Sequence, residues 1–230
     1  MAAKTNSEMK FNDVLSKLRK GDISSLYVFE GEEEYLKEKL IRSIEKLLID
    51  PSGREIDYVN INYGEKSKKI TPAYIKNEVF TPPFISKRKL VVIKNSGLFS
   101  SVKKTDIKND EIKELEGVLS SIPESACIIF SENKIDKRQK GLVDVIKKNG
   151  ILADISKPDI RTIRTWVVKE LERYGLKIQP YACDIFIERN ESSLMQMTGE
   201  LDKLALYLKS SGRDIITKED IENIGIQDLK

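Results

Sequence analysis

Short apolar runs alternate along the first part of the chain with segments in which apolar residues recur every three or four positions. Residues 90–93 and 127–130 are apolar throughout. Uninterrupted runs of this kind are typical of strands that are buried on both faces of a parallel sheet. The predicted strands are residues 25–30, 57–62, 89–94, 126–131 and 151–155.

Amphipathic segments fill the gaps between these strands, and their spacing of apolar residues predicts helices that cover the sheet. The predicted helices are residues 32–48, 73–79, 110–120 and 136–148. Strands and helices that alternate over roughly 150 residues are typical of βαβ units. The pattern therefore predicts an α/β domain with a doubly wound parallel sheet over residues 1–156.

The pattern changes at residues 156–159, and no strand is evident beyond them. Apolar residues then recur at helical spacing, first over residues 160–171 and later over residues 194–208. Gly175 and Gly212 lie where helices would end, and Pro180 suits a helix start. Thr217 and Asp220 resemble a capping box. Residues 157–230 are therefore predicted to form a small all-helical domain.

Composition excludes several classes of function. The chain has 230 residues, a net charge of +3 and no histidine, which excludes catalysis and metal binding that depend on histidine. Cys127 and Cys183 lie in apolar surroundings and are expected to be buried free thiols of a reducing cytosol, with a disulfide or metal site as the alternative. No signal sequence or membrane-spanning run is evident, so a cytoplasmic protein without membrane contact is expected.

The first strand-to-helix junction is where a doubly wound fold commonly binds phosphate. Residues 30–34 hold one glycine and four carboxylates, and the first lysine after them is Lys37. Carboxylates in a first helical turn are stabilised by the helix dipole but repel a triphosphate. An acid-capped helix is therefore the main interpretation, and a divalent-metal cluster is the alternative. The strand 89–94 ends in Lys94 and is followed by Asn95, without an acidic pair for magnesium. No catalytic residue, cofactor or metal site is predicted.

The segment 79–86 joins a short helix to the third strand. Pro82 and Pro83 prevent it from continuing as helix or central strand, so it is a stiff loop. Phe84 and Ile85 follow directly. Either Phe80 and Phe84 fill the core of the domain, or the loop is a rigid apolar hook for the pocket of a partner.

Basic residues form four clusters, for which solvated surface and contact with a phosphate backbone are both open. The clusters are Lys66/Lys68/Lys69, Lys87/Arg88/Lys89, Lys103/Lys104 and Lys134/Lys137/Arg138/Lys140. From them we predict DNA or phosphate contacts at Lys87, Arg88, Lys134, Lys137 and Arg138. A nucleic-acid-binding or interaction protein that uses these clusters is the alternative function.

Several segments in this order resemble the delta subunit of the bacterial DNA polymerase III clamp loader. Residues 26–36 resemble the opening strand of that family, where Gly-Glu-Glu and Tyr-Leu replace the phosphate loop. Residues 84–93 resemble its hook, an Arg-containing turn and the next strand, and residues 128–138 resemble a strand followed by Lys-x-Asp-Lys-Arg. Trp166, Gly175 and residues 200–204 resemble its second-domain signature.

The resemblance implies an AAA+-like sheet domain without a functional ATP site, followed by a helical lid-type domain. It also implies a non-catalytic subunit of the DNA polymerase III holoenzyme that binds the sliding clamp (beta subunit) and opens the ring for loading onto primed DNA. The other clamp-loader subunits, of the gamma/tau and delta prime types, are the further implied partners. The clamp-binding pair of the family corresponds to Phe84 and Ile85, braced by Pro83, and Ile85 stands where an aromatic residue is usual. A third, collar domain of the family is expected to be absent.

Overall fold

The computed structural model describes residues 8–63, 70–99 and 109–227 of the chain. The chain divides between Lys157 and Pro158 into two compact units. In the described ranges, no helix is long and apolar enough to cross a membrane. The clusters Lys66/Lys68/Lys69 and Lys103/Lys104 lie outside the described residues.

The first unit is built on a six-stranded sheet in which every neighbouring pair of strands is parallel. The strands are β1 (Met9–Lys10), β2 (Leu26–Glu30), β3 (Tyr58–Asn62), β4 (Lys89–Lys94), β5 (Ala126–Glu132) and β6 (Ile151–Asp154). Their order is β1-β6-β2-β5-β4-β3. The strands β2, β5 and β4 lie in the middle of the sheet, and they correspond to the continuous apolar runs.

Helices cover both faces of this sheet. They are α1 (Phe11–Arg19), α2 (Glu34–Leu48), α3 (Arg54–Asp57), α4 (Pro72–Phe80), α5 (Asn109–Ser120) and α6 (Lys140–Asn149). A 3₁₀ turn (Pro51–Gly53) precedes α3. Val28 and Phe130 belong to one apolar cluster with residues of α4, α5 and α6. Neighbouring residues such as Tyr27 and Phe29 point to the other face, where α1 and α2 lie, and they are also fully buried. The α/β prediction is confirmed.

The second unit is helical. Its helices are α7 (Ile160–Glu172), α8 (Pro180–Arg189), α9 (Leu194–Ser211) and α10 (Lys218–Gln227). Asp159 caps α7 by accepting a hydrogen bond from the Thr162 N–H at 2.7 Å, and Gly212 ends α9 in the left-handed conformation (φ 68°). The structure adds a parallel pair of two-residue strands, β7 (Lys177–Ile178) and β8 (Ile215–Ile216). Two residues are too few to leave an alternating pattern in the sequence.

Candidate functional site

The loop between α4 and β4 presents its apolar side chains to solvent. Phe84 is 79% exposed and Ile85 is 45% exposed. Phe80, the last residue of α4, is also exposed. These side chains therefore do not fill the core of the domain. We call residues 82–86 the hook.

A buried carboxylate holds the backbone of the hook. Asp57, the last residue of α3, is 1% exposed. Its Oδ1 accepts a hydrogen bond from the Phe84 N–H at 2.6 Å, and its Oδ2 accepts from the N–H groups of Ile85 at 2.8 Å and Ser86 at 2.7 Å. Burial alone raises the pKa of Asp57. The hydrogen bonds from these N–H groups outweigh burial and lower the pKa from 3.8 to about 2.

The turn before α3 also contacts the hook. The Asp50 N–H donates to Ser86 Oγ at 3.1 Å. A Cβ added to Gly53 would lie 2.9 Å from Ile85 Cβ and 3.0 Å from Ser86 Oγ. At the base of the hook, Lys89 Nζ lies 2.8 Å from Glu78 Oε2 and so joins β4 to α4. Residues 50–57, which we call the cradle, therefore approach the hook closely from a distant part of the sequence.

The two basic residues that directly follow the hook, Lys87 and Arg88, differ in exposure and in their contacts. Lys87 is exposed. Arg88 is half-buried, and its guanidinium donates to Ser25 Oγ at 2.6 Å and to the carbonyl oxygens of Ile23 and Ala126. Arg88 therefore holds the start of β4 to the start of β5 and to the segment that precedes β2.

The other basic cluster lies after β5. Lys134 is exposed. Lys137 Nζ lies 2.8 Å from Glu8 Oε1 and 3.4 Å from Glu30 Oε2, and Arg138 Nε lies 2.8 Å from Asp136 Oδ1. Because β4 and β5 are parallel, the start of β4 and the end of β5 lie at opposite edges of the sheet. The structure therefore separates Lys87 and Arg88 from Lys134, Lys137 and Arg138.

The loop after β2 is closed by the chain itself. The Gly31 N–H donates to the Glu132 carbonyl at 3.1 Å, and the Glu33 N–H donates to the Ile155 carbonyl at 3.2 Å. Gly31 has φ 138°, and an added Cβ would lie 2.3 Å from the Ile155 carbonyl. These two N–H groups therefore bond within the chain and are not available to a phosphate. The helix begins at Glu34, and Glu33 stands at its N-cap without a side-chain capping bond.

Lys37, the first lysine of α2, also bonds to groups of the chain itself. Lys37 is fully buried, with its Nζ 2.6 Å from Glu34 Oε1, and it donates to the Glu132 carbonyl at 3.3 Å. The Glu132 carboxylate accepts from the Ser96 N–H at 2.9 Å, and burial raises its pKa. At the end of β4, Lys94 pairs with Glu38. Among the described residues, no group of three acidic or cysteine side chains could hold a metal ion.

Both cysteines are free and buried. Burial raises the pKa of Cys127 to about 12 and that of Cys183 to about 11. They lie in different units of the chain. The expectation of unpaired, buried thiols agrees with these positions.

Comparison with known proteins identifies the family. The sequence model of the family described as DNA polymerase III, delta subunit, matches residues 27–156, which are more than half of the 230 residues. The chain belongs to this family. The matched residues include the hook, the cradle and the closed loop after β2. The resemblance noted in the sequence is thereby confirmed at the level of the family.

Individual relatives agree with this assignment. DNA polymerase III subunit delta of Bacillus subtilis (strain 168) is 22% identical over 220 residues, which are 95% of this chain and 61% of that protein. The structure of the Bacillus subtilis DNA clamp loader delta protein covers 92% of this chain and 61% of that chain, with a TM-score of 0.71 and 20% identity. This delta-family chain therefore shares the fold of that protein, and it spans about three fifths of the length of these relatives.

A more distant likeness is to a DNA polymerase III gamma subunit-related protein from Thermotoga maritima. It covers 86% of this chain and 61% of that chain at 17% identity, with a TM-score of 0.46.

Sequence reasoning missed Asp57 and Gly53. Asp57 was predicted as the first residue of a strand, whereas it ends α3 and accepts bonds from residues 27 to 29 positions later. The local sequence carries no signal for a contact of that range.

Proposed function

We propose that this delta-family chain binds the sliding clamp through the hook and opens the ring for loading onto primed DNA. The single observation that supports this most strongly is the exposure of Phe84 on a loop whose backbone is fixed. Large apolar side chains at the surface, rimmed by polar residues such as Lys87, are typical of protein-binding sites. A membership in the delta family supplies the partner.

The energetics suit such a role. Burial of Phe84 and Ile85 in a pocket contributes roughly 1.5–3 kcal/mol for each side chain. A micromolar complex needs about 8 kcal/mol in total. Two buried side chains provide much of this figure when the loop is ordered before binding, because less conformational entropy is then lost on association.

Opening the ring requires more than binding. A ligand shifts a conformational equilibrium only by its differential affinity for the two states. The delta-family chain must therefore bind an open clamp more tightly than a closed one. In this proposal it is a non-catalytic cytoplasmic subunit, and partner subunits of the gamma/tau and delta prime types hydrolyse ATP or complete the loader. The occupied N–H groups of Gly31 and Glu33 support this division of labour.

Contacts with DNA remain a prediction. Lys87, Arg88, Lys134, Lys137 and Arg138 are the candidates, and Lys87 and Lys134 are exposed. The separation of the two clusters at opposite edges of the sheet does not favour a single DNA-binding face. We therefore keep DNA as an indirect partner, reached through the clamp.

Surface plasmon resonance on the immobilised clamp of the same organism tests the proposal. The expected result is saturable binding by the wild type and loss of binding by the folded double variant Phe84→Ala/Ile85→Ala. Met195→Ala removes an apolar side chain of the second unit that is nearly as exposed as Phe84 (74% exposed), and it is expected to bind like the wild type. Wild-type protein that does not bind would contradict the proposal, and equal binding by the double variant would contradict the role of the hook.

A further inference from the structure

The hook is held through its backbone and not through its apolar side chains. Three consecutive N–H groups, those of Phe84, Ile85 and Ser86, converge on one carboxylate. The Phe84 ring meanwhile lies in solvent. Hydrogen bonds to a charged acceptor are stronger than neutral ones. The conformation of the loop is therefore fixed by Asp57 in a way that leaves the apolar side chains available.

The surroundings of Asp57 favour one arrangement of the loop. Gly53 leaves no space for a side chain between the turn and the hook, since an added Cβ would lie 2.9 Å from both Asp57 Oδ2 and Ile85 Cβ. The hydrogen bond from the Asp50 N–H to Ser86 Oγ fixes the end of the hook. Pro82 and Pro83 restrict its beginning. Contacts on both sides thus limit the conformations open to the loop.

We propose that Asp57 is the positioning residue of the hook, and that it orders Phe84 and Ile85 for the partner before the partner binds. This inference rests on the proposed function. Asp57 then contributes to the affinity for the clamp without contacting it, because Asp57 is buried and the clamp would contact only the hook.

The substitution Asp57→Asn tests this role because it keeps the shape of the side chain. An asparagine offers one oxygen and one NH₂ group, so at least one of the three backbone N–H groups would then face a donor. The hook would leave its bound conformation part of the time. The apparent dissociation constant equals the intrinsic one divided by the fraction of molecules whose hook is in the conformation that binds, which we call the competent fraction. A competent fraction of about one tenth gives a dissociation constant about tenfold higher, which is about 1.4 kcal/mol.

The kinetics distinguish positioning from direct contact. Loss of order before binding is expected to slow association of Asp57→Asn. Removal of the apolar contact in Phe84→Ala is expected to speed dissociation, as most interface substitutions do. Gly53→Ala disturbs the hook from the other side of the cradle, and slower association is expected for it as well.

A control variant separates positioning from general loss of stability. Ile146→Val removes one methyl group from the buried core at α6, far along the chain from the hook. Its cost to stability is roughly 0.5–1.5 kcal/mol. Ile146→Val is expected to bind the clamp as the wild type does, since its hook and cradle are intact.

The experiment compares the whole chain and these variants by surface plasmon resonance on the clamp, with circular dichroism to verify folding. Weaker binding of Asp57→Asn and Gly53→Ala through slower association, beside unchanged Ile146→Val, supports the inference. Wild-type affinity of folded Asp57→Asn, while Phe84→Ala binds poorly, would overturn it and leave the proposed function standing. Equal weakening by Ile146→Val would also overturn it. Absence of wild-type binding would overturn the proposed function and, with it, this inference.

Discussion

Asp57→Asn is predicted to lower the free energy of unfolding, and the size of the loss is predicted to depend on pH. The pKa of Asp57 in the folded chain is about 2, against an ordinary value of 3.8. Because the folded-state pKa is the lower one, the ionised carboxylate stabilises the fold fully above the unfolded-state pKa. This contribution is lost as the pH falls from about 4 through 2.

The magnitude follows from the pKa difference. A fall of the pKa from 3.8 to about 2 corresponds to between about 2 and 3 kcal/mol at neutral pH. The figure is an upper bound because the N–H groups that Asp57 holds belong to a surface loop, and water can replace part of these hydrogen bonds. Asp57→Asn is therefore expected to unfold with about 1–2 kcal/mol less free energy at pH 7. Roughly half of that difference is expected at pH 3.

Urea unfolding followed by circular dichroism at pH 7, 5, 4 and 3 measures this difference. Glu55→Gln is the matched control, since Glu55 belongs to the same helix and its side chain is 94% exposed. It is expected to change stability by less than about 0.5 kcal/mol. Two results would contradict a stabilising role of the ionised carboxylate: a stability of Asp57→Asn equal to wild type at pH 7, or a deficit that is constant over the whole pH range.

Three further predictions concern the rest of the first unit and the thiols. Gly31→Ala places a Cβ 2.3 Å from the Ile155 carbonyl at a positive φ, so it is expected to lose more than about 2 kcal/mol in urea unfolding; an unchanged midpoint would be contrary evidence. The raised pKa values of Cys127 and Cys183 keep both thiols protonated at pH 8. They are therefore expected to react with a chromogenic disulfide only after unfolding. Rapid reaction of the native chain would contradict this, because it would show that the thiols are accessible. Titration with ATP and magnesium is expected to give no saturable heat, because the loop after β2 bonds to the chain itself; measurable binding would contradict that interpretation.

The sequence predicted the strands well because continuous apolar runs leave few alternatives. The strand at 89–94 has the same bounds in the structure, and β2 and β5 differ from their predictions by one residue. Helix starts were less accurate. α2 begins at Glu34 instead of residue 32, since the bond from the Glu33 N–H to Ile155 holds the preceding residues out of the helix. α6 begins at Lys140 instead of residue 136, after a turn in which Asp136 accepts from the Arg138 N–H.

Short elements and long-range contacts were not predictable in the same way. β1 has two residues and α3 has four, which are too few to leave a pattern. α1 does carry a helical pattern, since Phe11, Val14 and Leu18 recur every three or four positions, and the prediction overlooked it. The hook was found from its two prolines and the apolar pair that follows. The exposure of the hook and its hydrogen bonds to Asp57 depend on residues far along the chain, and a local sequence pattern carries no information about them.

A direct assay of ring opening tests whether this chain opens the clamp through the hook. A sliding clamp labelled with a self-quenching dye pair across one subunit interface would be titrated with the delta-family chain. We expect a saturable rise in fluorescence with the wild type and with Met195→Ala, and no rise with folded Phe84→Ala/Ile85→Ala. A clamp that stays quenched at saturating wild-type protein, or one that opens equally with the double variant, would contradict this expectation.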